Sequence, residues 1–233
     1  VPDLDKAHAD LRHLLLVDDE ELFVAGSTHP GEEEQLLTCY RTLLQHYPRL
    51  VLLLAPRHIE RAAHVEAVAA AKGFAAVRRS LLPGGVPVKG PRVIILDSRG
   101  ELATVYRYAV ATFVGGTLAP IGGHNLLEPA IWGKPVFFGP YTDHCAEIAK
   151  LLLGAEGGRQ VIDGAELATY LTTVLNDRSV LERMGRAAHQ VVLENRGALE
   201  HTVDVITRVL SVRTSTVSPP SESFHMKRLA EKP

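Results

Sequence analysis

VGGTLAPIGGHNLLEPAIWGKPVFFGP, residues 114–140, is the stretch on which the reading of this chain turns. Ala111-Thr-Phe-Val114, ending at its first residue, is a short apolar run of the kind a buried strand needs. Beyond the second glycine pair, Gly122-Gly123, and His124, the spacing becomes helical and stops at Gly133. A strand, a glycine-rich turn and a helix start, in that order, can aim backbone N–H groups at an anion. Pro135–Phe138 then reads as the next strand, closed by Gly139-Pro140.

Outward from this stretch the same unit recurs. Leu22–Ala25 is an apolar run followed by the turn Gly26–Gly31 and a helix whose first-turn acids, Glu32, Glu33 and Glu34, suit the macrodipole. Its apolar face is Leu36, Leu37, Tyr40, Leu43 and Leu44. Leu50–Ala55 is a strand, 56–58 a turn and Ile59–Lys72 a helix stopped by Gly73. Phe74–Val77 reads as a third strand and Pro83–Pro87 as a surface loop. Arg92–Leu96 is a strand, 97–100 a turn, and Glu101–Tyr108, 125–132 and Asp143–Leu153 are helices. From Asp163 the spacing is helical through Leu167, Leu171, Val174, Leu175, Leu181, Met184 and Val191 to Val203, Val205, Ile206 and Val209.

Regular alternation with short connections predicts an α/β fold, a Rossmann-like parallel sheet with helices on both faces. Residues 1–20 form a lead-in segment with a helical apolar cluster over 11–17, residues 21–211 the ligand-binding domain, and residues 212–233, which lose periodicity, a mobile tail. The turns at 26–31, 56–58, 97–100 and 115–124 all follow strands, so they belong on one edge of one sheet. Ligands of such sheets bind there, at the switch point.

Bulk composition narrows what the ligand can be. Among 233 residues, 46% are hydrophobic, enough for a sizeable core. Lys and Arg number 25 against 27 acids, a net charge of −2, so no global basic field draws nucleic acid and any anion must be held locally. Cys39 and Cys145 are too few for a disulfide framework or thiolate cage, and a reducing compartment is the default. No apolar run approaches the roughly 20 residues that span a bilayer. The chain opens on Val1, and its methionines are Met184 and Met226, so the expectation is the downstream part of a longer protein.

Several side chains on the predicted edge have two readings. Arg57 could reach a phosphate or a pyrimidine carbonyl, or be an ordinary surface arginine. Glu101, after Gly100, is also simply a good first-turn residue. Glu128, in the first turn of the helix after Gly122-Gly-His-Asn125, could accept from both hydroxyls of a ribose. Ser27 and Thr28 could contact a phosphate while capping a helix. His29, His58, His124 and His144 lie on separate loops and lack the i, i+4 pairing of a helical zinc motif. The chain has no Gly-x-Ser-x-Gly elbow, dinucleotide fingerprint or Walker loop, which disfavours a serine hydrolase, a redox cofactor and ATP hydrolysis.

Ala25–Glu33, Leu54–His58, Gly100–Leu102, Phe113–Gly116, Gly122–Asn125 with Leu127–Ala130, and Gly133–Val136 together make the chain resemble the 3-deoxy-D-manno-octulosonic acid (Kdo) transferases of lipopolysaccharide assembly, in their carboxyl-terminal domain, over roughly 20–210. The resemblance implies half of a GT-B glycosyltransferase, inverting and metal-independent, with CMP-Kdo as donor and the lipid A precursor as acceptor. It implies no cofactor, a soluble cytoplasmic chain here, and a full-length enzyme at the cytoplasmic face of the inner membrane. Carried over by position, the nucleotide contacts are Pro56, Arg57, Arg99, Gly100, Glu101, Asn125, Leu126, Leu127 and Glu128, with Ser27, Gly122, Gly123 and His124 near phosphate or sugar. Leu126 replaces the family's usual proline, and Val110 stands where an aspartate is common. The family's general base, a glutamate of the amino-terminal domain, and its membrane-proximal segment have no counterpart in these residues, so an amino-terminal domain or partner polypeptide is expected. A non-catalytic nucleotide-binding module and a GT-B domain using a UDP-sugar remain alternatives.

Overall fold

The computed structural model describes residues 11–13, 15–82 and 92–195. The chain divides into two units between Leu193 and Glu194, and the fold below is that of the first. Its strands are β1 Glu21–Thr28, β2 Leu50–Pro56, β3 Ala76–Arg78, β4 Val93–Ile95, β5 Ala109–Val114, β6 Val136–Phe138 and β7 Gly158–Gln160. The helices are α1 Glu32–Leu44, α2 Ala62–Ala71, α3 Leu102–Val105, α4 Leu127–Ile131, α5 Ala146–Gly154, α6 Gly164–Leu175 and, within this unit, α7 over 178–193.

All strands pair in parallel, in the order β3-β4-β2-β1-β5-β6-β7. β1 lies inside the sheet, with Phe23 opposite Leu52 on one side and Ala111 on the other. Its neighbours run away in opposite senses, β2 with β4 and β3 to one side and β5 to β7 to the other. The switch point therefore falls between β1 and β5, where Gly26 faces Val114. The four turns expected on one edge share the carboxyl edge of this sheet, because every strand before them points the same way.

The continuous apolar character of β1 and β2 follows from cover on both faces. Phe23, Ala25, Leu52, Leu54, Val93, Ile95 and Phe113 pack with Leu36, Tyr40, Val65 and Leu171 of α1, α2 and α6. Their alternates, Leu22, Val24, Val51, Leu53 and Ile94, pack with Leu11, Leu15, Val105 and Tyr106. A third cluster joins Val114, Val136 and Phe138 to Leu126, Ala130, Leu152, Ala188 and Val191.

Several elements differ from the sequence expectation. β7 was not expected: Gly-Arg-Gln carries no apolar signal, and its place comes from pairing with β6. The expected helix over 101–108 is α3 plus a 3-10 turn, Tyr106–Tyr108, and the helix start at 59 is likewise a 3-10 turn, Ile59–Arg61. The helix over 125–132 shrinks to the five residues of α4. The lead-in segment is bound to the domain: Leu11, Leu15 and Leu16 are buried, and Arg92 makes a two-pronged ion pair with Glu20 at 2.7 and 2.8 Å while donating to the Leu15 carbonyl at 2.6 Å. The expected loop Pro83–Pro87, the apolar positions from Val203 to Val209 and the tail over 212–233 lie outside the described residues.

Candidate functional site: a crevice at the switch point

The end of β1 is built by close backbone approach. Gly115 N–H donates to the Gly26 carbonyl at 2.8 Å. A Cβ on Gly115 would fall 2.4 Å from the Ser27 carbonyl oxygen and 2.7 Å from Thr28 Cα, so no side chain fits there. Ser27 has a φ of 56°, a left-handed conformation that costs a residue with a Cβ about 1–2 kcal/mol. Thr28 turns its hydroxyl inward to Glu33 at 2.9 Å, and Arg61 grips the same carboxylate with two nitrogens at 2.8 and 3.3 Å.

Glu32 explains the glycine-rich turn. Its fully buried carboxylate accepts from the backbone N–H groups of His29 (2.9 Å) and Gly116 (2.8 Å) through Oε2, and of Thr117 (3.0 Å), Leu118 (2.8 Å) and Ala119 (3.3 Å) through Oε1. The anion faced by this part of the turn is the protein's own. Such a set of N–H donors offsets the desolvation of a buried carboxylate. Glu32 is in the first turn of α1 as expected, but one expectation is corrected: the donors from Gly116 to Ala119 are not open to a ligand. The N–H of Gly123 is also used internally, on the Gly116 carbonyl at 2.8 Å.

Two adjoining cavities open on this edge. One, of about 370 Å³, is lined by Ser27, Pro56, Arg57, His58, Glu60, Ser98, Arg99 and Gly100 among others. The second, of about 350 Å³, is lined by Ser27, Arg57, Gly100, Leu102, Ala103, His124, Asn125 and Glu128. Ser27, Arg57, Gly100 and Leu102 belong to both, which makes them halves of one crevice. Four post-strand segments from distant parts of the chain meet there.

The sequence-predicted residues fall into two groups. Ser27, Pro56, Arg57, Arg99, Gly100, His124, Asn125 and Glu128 line the crevice. Glu101, Leu126, Leu127, Gly122 and Gly123 do not. Glu101 is held by Arg79 at 3.0 Å and by the Ser98 hydroxyl. Leu126 is in the third core cluster, and Gly122 and Gly123, at φ of 98° and 85°, pack on His144 and Cys145, where the turn demands a conformation that side chains resist. His58 and Leu102 are lining residues that the sequence reading did not single out for binding; His58 could have been found from its position beside Arg57 on a post-strand turn.

The electrostatics favour an anion. Arg57 is exposed and makes no ion pair among the described residues. Burial raises the Glu128 carboxyl above its usual range, opposed by a 3.4 Å hydrogen bond from Asn125 and by the Arg57 charge. Burial, then the neighbouring His29, Arg57, His144 and His58, pushes His124 down to about 4. His29 is lowered too, by burial first, against the pull of Glu32. Among the described residues no group of three or more His, Cys, Asp or Glu side chains could hold a metal ion.

The parallel sheet, its strand order and the crevice over the β1/β5 switch point are those of a Rossmann-like domain of the kind found in each half of the GT-B fold. No protein-family model matches the chain. The 3-deoxy-D-manno-octulosonic acid transferase of Haemophilus influenzae is 39% identical over 189 residues, which is 81% of this chain and 44% of that protein. That of Aquifex aeolicus is 40% identical over 156 residues, 67% of this chain and 42% of that protein. Among solved structures, the C-terminal CMP-Kdo binding domain of WaaA from Acinetobacter baumannii matches with a TM-score of 0.74 at 28% identity, covering 80% of this chain and 96% of that one. The chain is a homologue of the Kdo transferases over their carboxyl-terminal part, and it spans less than half the length of the curated relatives it matches.

Proposed function

We propose that this domain binds CMP-Kdo as the donor half of a Kdo transferase, the whole enzyme passing Kdo to the lipid A precursor. The observation that carries the reading is the crevice itself: a guanidinium with no ion-pair partner among the described residues, Arg57, and a hydrogen-bonded carboxylate, Glu128, line one cavity sized for a nucleotide. In this reading Arg57 takes the phosphate, Glu128 and Asn125 take the ribose hydroxyls, and Pro56, Arg99 and Gly100 line the remainder. Because Glu32 occupies the turn donors, the charge that grows on the departing CMP is met by side chains, with Arg57 first. Losing one such donor typically slows transfer by about 10²–10³-fold.

An amino-terminal domain would supply the general base and the acceptor site, and would place the enzyme at the cytoplasmic face of the inner membrane. No helix among the described residues is long and apolar enough to cross a membrane. Calorimetric titration with CMP, with UMP as competitor, tests the donor reading. CMP should bind and UMP should compete poorly; preference for UMP would replace the reading with a UDP-sugar domain. Arg57→Ala should weaken CMP roughly 10–100-fold, the scale of a lost hydrogen bond to a charged group, without altering the melting temperature.

A further inference from the structure

His29 and His124 come from the turns after β1 and β5, 95 residues apart, and meet behind the crevice, which His124 lines, with Nε2 to Nε2 at 2.8 Å. Their planes are within 8° and their centroids 5.0 Å apart. Nearly parallel rings with nitrogens this close and centroids this far apart meet edge to edge, which is the geometry of an in-plane hydrogen bond. The His58 ring stands perpendicular to His29, centroids 6.1 Å apart. A shared metal ion does not suit the pair: at Zn–N distances of 2.0–2.1 Å two tetrahedral ligands sit about 3.3 Å apart.

The contact restricts where protons can be. A 2.8 Å Nε2–Nε2 approach needs one N–H and one lone pair. With no net charge, one ring carries its proton on Nε2 and the other on Nδ1. With a single added proton the contact survives as a charge-assisted hydrogen bond, and both Nδ1 atoms then carry hydrogen. A second added proton would set N–H against N–H and break it. The pair thus has room for one positive charge.

The surroundings hold that charge off while the crevice is empty. Around His29 stand Glu32 and Glu33, which favour the proton, and His58 and Arg61, which oppose it; burial opposes it most. Around His124, burial, His29, Arg57, His144 and His58 all oppose it. Arg57 and His124 line the same half of the crevice, so a phosphate held by Arg57 would bring negative charge beside His124 and reverse this balance. With Nε2 engaged by His29, Nδ1 is the His124 nitrogen left for a ligand.

Resting on the donor reading above, we propose that His29 and His124 form one proton-accepting pair for the nucleotide phosphate: a proton from water joins the pair as the phosphate binds, His124 donates to it from Nδ1, and His29 is the positioning residue behind. The test is calorimetry of CMP binding at pH 7.5 in buffers of different ionisation enthalpy, where a phosphate monoester of second pKa about 6 is already dianionic. Net proton uptake on CMP binding is expected, with none for cytidine, which lacks the phosphate. His124→Gln and His29→Gln should abolish the uptake and weaken CMP roughly tenfold or more while leaving cytidine unaffected. Ring ¹⁵N shifts of the unsubstituted protein should move to the charged pattern for the pair on adding CMP, a readout independent of whether the variants fold. CMP binding without proton uptake, or uptake that persists in both variants, overturns the pair and leaves the donor reading standing. No CMP binding at all overturns both.

Discussion

At the scale of single residues, Glu32 governs the site without lining it. Its two oxygens serve five backbone N–H groups from two loops, so Glu32→Gln necessarily turns an amide N–H₂ toward other donors. The expected cost is roughly 2–4 kcal/mol of unfolding free energy, read by urea denaturation, since buried donors left unmatched cost about 1–3 kcal/mol. Unchanged stability would show that water replaces the carboxylate. Glu128 behaves oppositely. Its folded pKa is raised, so its favourable contribution is complete below the ordinary carboxylate range and is lost as pH rises through the folded value. Glu128→Gln should therefore be no less stable than the parent at pH 7.5, yet lose any preference for CMP over its 2′-deoxy analogue. A destabilised variant with its preference intact would remove Glu128 from the ribose.

At the scale of elements, the segment before β1 is attached to β4 by a buried charge pair rather than by apolar contact alone. Arg92 and Glu20 are both almost fully buried. Arg92→Ala strands a buried carboxylate and should cost about 3–5 kcal/mol, whereas replacing both partners with methionine should cost much less. Equal losses in denaturant titrations would show that Arg92 acts through packing or its other hydrogen bonds. Glu20 belongs to the acidic run Asp18-Asp-Glu-Glu21, and the approach of β4 makes it a buried partner. β7 is similar, a strand by virtue of its neighbour and not its composition. The short α4 is held by Asn125, whose side-chain oxygen accepts from Leu127 N–H at 3.1 Å, so binding near it depends on individual groups more than on a macrodipole.

At the scale of the molecule, the crevice histidines leave a signature in stability against pH. The His124 pKa falls to about 4 in the folded domain from the 6.5 ordinary for a histidine. In that window the unfolded chain binds more protons, so stability contributed by the neutral ring is present above 6.5 and lost as pH falls toward 4. His29 acts in the same sense. Thermal melts from pH 7.5 to 4 should show a shallower decline for His124→Gln than for the parent; parallel curves would mean that the ring is solvated and free to charge.

The alternation of strands and helices, the parallel sheet and the edge on which Ser27, Arg57, Gly100 and Asn125 gather were all legible in the chain itself. Those properties follow from which residues leave water locally, and burial repeats with the period of each element. The partners of polar groups carry no such local mark. Glu32 reaches N–H groups 84 to 87 residues away, and His29 meets a ring 95 residues away. Only the packing of β5 against β1 decided that the glycine-rich turn encloses the protein's own carboxylate, leaving the crevice to Arg57, the histidine pair and Glu128.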